Sequence, residues 1–107
     1  MDTVTSEVIQ IGELVYSIAG RDAGNCYLVL YIDADSYLRI VDGKVRKVDN
    51  PKRKSQKHVR RTGLISEGIA EKLGRNKRPT NAEIREAITE LAVFLEGAWG
   101  NKEVGIT

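Results

Sequence analysis

Apolar positions in this chain follow two different periods. Between residues 7 and 50 they come in short blocks or alternate, and from residue 64 onward they recur every three or four residues. Val8-Ile9-Gln10-Ile11 and Leu14-Val15-Tyr16-Ser17-Ile18 predict two short strands around Gly12. Residues 19–25 carry two glycines and predict a loop. Cys26-Tyr27-Leu28-Val29-Leu30-Tyr31-Ile32 predicts a strand rich in β-branched and aromatic residues, ended by a turn at Asp33-Ala34-Asp35-Ser36.

Asp42-Gly43 lies between Tyr37-Leu38-Arg39-Ile40-Val41 and Lys44-Val45-Arg46-Lys47-Val48. Asp-Gly between two strands predicts a type I′ hairpin with a two-residue loop. That register pairs Val41 with Lys44, Ile40 with Val45 and Arg39 with Arg46. Leu38, Ile40 and Val45 then face the core, while Arg39, Val41, Lys44 and Arg46 face outward. Two arginines opposed across a ladder repel each other unless an anion lies across them or both splay into water.

Pro51 ends the strand region, because proline gives no donor to a ladder and restricts Asn50 before it. Ile65, Ile69 and Leu73 predict a short amphipathic helix over 64–73 with Gly74 as its C-cap. Thr80-Asn81-Ala82-Glu83 matches a capping box, with Pro79 just ahead. Ile84, Ile88, Leu91 and Leu95, joined by Ala87 and Phe94, form the buried stripe of a second helix, which Gly97 is expected to end. Glu83, Glu86 and Glu90 occupy its other face and repel phosphate. Trp99 either folds back on the helices or stands exposed. The expected organisation is a mainly β, α+β fold: strands over 7–50, a basic connector over 51–63 and a helical extension over 64–97.

Charge sharpens this picture. The net formal charge is only +2, but residues 44–61 hold nine of the 17 lysines and arginines against Asp49 alone. Such a run is either a solvated linker or a polyanion site, and its length and near absence of acids favour the polyanion site. Lys44, Arg46, Lys47, Lys52, Arg53, Lys54, Lys57, Arg60 and Arg61 make up the run, and Arg39 joins it through the hairpin.

Other chemistry is poorly supplied. One cysteine, Cys26, and one histidine, His58, exclude a disulfide framework and leave a metal without a ligand set. Gly20-Arg21-Asp22-Ala23-Gly24 lacks the lysine of a phosphate-cradling loop, and Asp33 and Asp35 are not followed by the ligands of a calcium loop. No base stands beside a nucleophile. The expectation is a non-enzyme with no cofactor, no catalytic residue and no small-molecule substrate. The N-terminus lacks the basic and apolar regions of a secretory signal and no apolar run reaches membrane length, so the expected place is the cytoplasm, away from membranes.

The segment from Gly12 to Gly24, followed by an apolar strand, resembles the KOW motif, with Gly24 as its hallmark glycine. Asp42-Gly43-Lys44-Val45-Arg46-Lys47-Val48, then Pro51-Lys52-Arg53-Lys54 and Lys57-His58-Val59, is similar to the short bacterial KOW-domain RNA-binding proteins related to large-subunit ribosomal proteins. Residues 11–62 carry the resemblance, and Thr80-Asn81-Ala82-Glu83-Ile84-Arg85 extends it loosely. It implies a small SH3-like β-barrel followed by two C-terminal helices, binding structured and usually ribosomal RNA. By position it implies RNA contacts from Arg21 and Gly24 in the motif loop and from Lys47, Lys52, Arg53, Lys54, Lys57 and His58 in the basic extension. Relatives often carry a basic residue just before the motif glycine. Ala23 stands there in this chain, which shifts the burden to the extension. Tyr16, Tyr27, Tyr31 and Tyr37 are the aromatics available to stack on bases if they face outward. The competing expectation is a protein-interaction module that docks on ribosomal proteins or polymerase through the second helix.

Overall fold

A computed structural model describes residues 8–106, with side-chain surroundings up to Leu95. Five strands form one antiparallel sheet: β1 (Glu13–Ser17), β2 (Cys26–Ile32), β3 (Leu38–Val41), β4 (Lys52–Lys54) and β5 (Val59–Ile65), in spatial order β4-β3-β2-β1-β5. A 3-10 turn at Gln56–His58 leads into β5. Two helices follow, α1 (Glu67–Gly74) and α2 (Asn81–Ile106). β4 and β5 are the two edges and do not pair, so the sheet is open.

Alternation along β1, β2 and β3 gives the sheet two apolar faces, and both are covered. Val15, Tyr27, Val29, Leu38, Ile40, Val59 and Ile9 cluster on one side. Leu14, Leu28, Leu30 and Val41 face the other way, against Ile69 of α1 and Ile84 and Ala87 of α2. This explains why β2 reads as a continuous apolar run: each of its faces meets a core.

The helices begin as their caps require. Ser66 Oγ accepts the N–H of Ile69 at 3.3 Å. At the start of α2, Glu83 N–H donates to Thr80 Oγ1 at 3.1 Å and Thr80 N–H donates to Glu83 Oε1 at 2.9 Å, the reciprocal capping box the sequence predicts. Lys72 Nζ lies 2.7 Å from Glu83 Oε1 and ties α1 to α2.

Several expectations are corrected. Lys44–Val48 is a loop and not a strand, and β3 pairs instead with Lys52–Lys54, across the loop of residues 42–51. Asp42 is the reason. Its Oδ1 accepts the N–H groups of Lys44 at 2.9 Å and Arg46 at 2.8 Å, a local turn that competes with a ladder. Val45 is consequently 84% exposed, while Val41, expected outside, is fully buried against the helices. Residues 51–63 are no free connector, since they supply β4, the 3-10 turn and most of β5. Of the segment around Gly12, only residues 13–17 form a strand. Helix α1 starts at Glu67, Gly74 is its last residue, and Asn76 (φ 63°) takes the left-handed position just beyond it. Gly97 does not end α2, whose backbone remains helical to Ile106. The Trp99 side chain lies outside the described residues.

Candidate nucleic-acid interface

The thirteen residues singled out from the sequence fall into three groups. In the first, the protein's own carboxylates hold the cations. Arg39 and Arg53 are cross-strand partners, and the anion across them is Asp33: Arg39 Nε lies 2.9 Å and Arg53 Nε 3.8 Å from Asp33 Oδ2. Arg53 also pairs with Asp35, and its guanidinium sits 3.7 Å above the Tyr37 ring. Arg61 reaches into the sheet, where Glu13 is fully buried. Its Nε and Nη2 donate to Glu13 Oε2 and Oε1 at 2.9 and 3.2 Å. Gly63 N–H and Gln10 N–H complete that carboxylate's hydrogen bonds.

Lys54 departs furthest from the sequence reading. It is 6% exposed, and its Nζ donates to Ala19 O at 2.8 Å and Asp22 Oδ1 at 2.9 Å. Here β4 is latched onto the β1–β2 loop from inside. Lys52 Nζ stands 3.4 Å from Asp22 Oδ2. Burial pushes the Asp22 carboxyl up, but hydrogen bonds from Lys54 and Ser17 and the charges of Lys54 and Lys52 outweigh it and bring it down to about 2. Arg39, Arg53, Lys54 and Arg61 therefore each have a carboxylate partner within the protein, and the cations of the basic run point to different places.

The second group gathers at one end of the sheet, where the β1–β2 loop (residues 18–25) and the β3–β4 loop (42–51) lie side by side. Arg21, Arg46 and Lys52 line a groove of about 290 Å³ with Asp22, Asn25, Tyr27, Asp42 and Val45. A second cleft of about 350 Å³ adjoins it, sharing Asn25 and Asp42, and is lined by Lys44 and by Arg85 of α2. Lys47 is exposed in the same loop, and Gly24 is exposed with open space around it. Among the described residues, Arg21, Lys44, Arg46 and Lys47 have no ion-pair partner.

The loop is held in place by the start of α2. Arg85 Nη1 donates to Gly43 O at 2.8 Å, and Val48 N–H donates to Asn81 Oδ1 at 2.8 Å. Gly43 has φ 77°, and a Cβ there would fall 2.6 Å from Asn81 O, so close approach and handedness both require glycine. Arg85 is the residue sequence reasoning missed. The acids Glu83, Glu86 and Glu90 mark α2 as repelling phosphate, yet Arg85 turns to the loop side. Only its contact with Gly43, 42 residues away, reveals this.

Lys57, His58 and Arg60 form the third group. They are exposed on the 3-10 turn and β5, and no lining of either groove includes them. Of the tyrosines, Tyr27 is buried in the core, whereas Tyr31 is 46% exposed. Among the described residues no cluster of His, Cys, Asp and Glu could hold a metal, and no helix is long and apolar enough to cross a membrane. The chain matches no protein-family model and no curated protein.

Proposed function

We propose that this protein binds structured RNA, of the ribosomal kind that the KOW resemblance implies, through phosphate contacts and without catalysis. The observation that carries the reading is the convergence of cations from three separate segments at one end of the sheet. Arg21 comes from the first loop, Lys44, Arg46 and Lys47 from the second with Lys52 just after it at the start of β4, and Arg85 from α2. Asp22 and Asp42 are the carboxylates in the two grooves. The first is occupied by Lys52, Lys54 and Ser17, and one oxygen of the second, Oδ1, by two backbone N–H groups. Several positive side chains held together without matching acids repel one another, and a polyanion relieves that repulsion.

Two further features support the reading. The strand order, with β5 folded back beside β1 after a 3-10 turn, is compatible with an SH3-like arrangement in which β4 and β5 have drawn apart. Each lysine or arginine that neutralises a phosphate releases a counterion, so affinity arises without base reading. A-form RNA hides its bases in a deep groove and offers mainly backbone and shape, which suits a rim of arginines. Such a protein works in the cytoplasm, where structured RNA is abundant.

Salt titration of filter binding to large-subunit ribosomal RNA tests this. Engagement of about five phosphates gives a slope of log K against log salt of roughly −3.5 to −4.5. Arg21→Ala and Arg46→Ala should each make the slope shallower by about 1. Arg39→Ala removes a cation that Asp33 already holds, and should change the slope little. A slope near zero, or equal effects of Arg39→Ala and Arg46→Ala, refutes the proposal. A protein partner docked on α2 would produce that flat result.

A further inference from the structure

We infer that the cleft between the loop end of the sheet and α2 receives one unpaired nucleobase of the bound RNA, and that it favours a base carrying an exocyclic amino group where uracil carries a carbonyl. The inference rests on the RNA-binding reading above and adds base selection to it. At about 350 Å³ the cleft falls at the lower end of the range for small-molecule sites, roughly 300–1,000 Å³. Half-buried Cys26 and Ile88 supply apolar contact for a ring, and Asn25, Asp42 and Thr89 supply hydrogen-bonding groups around it. Lys44 and Arg85 stand where the attached phosphate would lie. Because Asn25 and Asp42 also line the neighbouring groove of Arg21, Arg46 and Lys52, a strand running along those cations passes the mouth of the cleft.

The selectivity follows from Asp42. Its Oδ1 is taken by two backbone N–H groups, while no hydrogen bond from the described residues reaches Oδ2. A carboxylate oxygen accepts from the amino group of cytosine, whereas the uracil carbonyl at the same ring position places one acceptor against another. Arg85 spends one N–H on Gly43 O, which fixes its plane and leaves the other donors of the guanidinium for phosphate or for stacking on the base. Unpaired nucleotides are where sequence can be read in RNA, so such a cleft would distinguish one site on a structured RNA from the surrounding duplex.

The single cysteine of the chain provides a direct reporter, because Cys26 lines the cleft. Burial raises its thiol pKa, so alkylation by N-ethylmaleimide is best followed above pH 8. Three loop-free RNAs, each annealed from two strands, are compared: a perfect duplex stem, the same stem with one bulged cytosine, and the same stem with one bulged uracil. The bulged-cytosine RNA should bind at least fivefold more tightly than the perfect stem and more tightly than the bulged-uracil RNA. At saturation it should slow Cys26 alkylation severalfold beyond the effect of the perfect stem. Thr89→Trp, which fills the exposed mouth of the cleft, should erase the advantage of the bulge. The salt slope on the perfect stem, measured with the same variant, reports the phosphate contacts. Equal affinities and equal alkylation rates for perfect and bulged RNAs overturn the inference while leaving phosphate binding intact. Tighter binding of the uracil bulge overturns the amino-group preference. Absence of salt-dependent binding to all three overturns this inference and the RNA reading together.

Discussion

The latch between Lys54 and Asp22 is open to a quantitative test. Both side chains are about nine-tenths buried, with 7% and 11% exposure, and the Asp22 carboxyl is pulled from its ordinary 3.8 to about 2. A carboxyl whose folded pKa lies below its unfolded value stabilises the fold above the unfolded pKa. That stability is lost as pH falls through the folded pKa. At about 1.4 kcal/mol per pH unit, the charged Asp22 contributes about 2 kcal/mol, present above pH 5 and fading towards pH 2. Asp22→Asn removes the charge but leaves the Lys54 ammonium buried with Ala19 O as its remaining strong acceptor. Breaking a buried pair from one side costs about 3–5 kcal/mol, and the surviving Ala19 bond sets the expectation at about 3. With a urea m-value of about 1.5 kcal/mol/M, the unfolding midpoint followed by circular dichroism should drop by about 2 M at pH 7. The gap between wild type and variant should narrow as both are titrated from pH 5 to pH 2. Lys54→Met combined with Asp22→Asn should cost less than the sum of the single changes, since neither charge is then stranded. A midpoint shift under about 0.5 M at pH 7, or a gap unchanged between pH 6 and pH 2, refutes the reasoning.

Two other substitutions probe the scaffold. Glu13→Gln leaves the Arg61 guanidinium facing a neutral amide inside the sheet and reduces the acceptor capacity offered to Gln10 and Gly63. It should lower stability by about 3 kcal/mol in chemical denaturation. Gly43→Ala places a methyl against Asn81 O at a positive φ, and should cost more than about 1 kcal/mol while weakening RNA binding in the salt titration, because the β3–β4 loop loses its seat on α2.

The strands with apolar signals were legible in the sequence, and so was the start of α2. Residues 26–32 are both the predicted and the observed β2, and the capping box at Thr80 forms as its spacing requires. β4 was hidden because its three residues are Lys52, Arg53 and Lys54, a composition that carries no core pattern. As an edge strand it needs only backbone pairing on one side. The Asp42-Gly43 signal misled for a related reason. A short polar side chain there bonds its own loop, and the decisive partners, Asn81 and Arg85, lie about forty residues away. The same limit applies to the candidate site. A basic run shows where cations are plentiful, while Asp33, Asp35, Asp22 and Glu13, scattered through the first 35 residues, determine which cations are already occupied.

The second apolar face of the sheet has a practical consequence for anyone trimming the molecule. A fragment stopped after β5 would retain every strand yet strip the cover from Leu14, Leu28, Leu30 and Val41. It would also remove the anchor beneath the cationic loop. Such a piece should clump, so any shortened version has to carry the helical tail along with the loop it steadies.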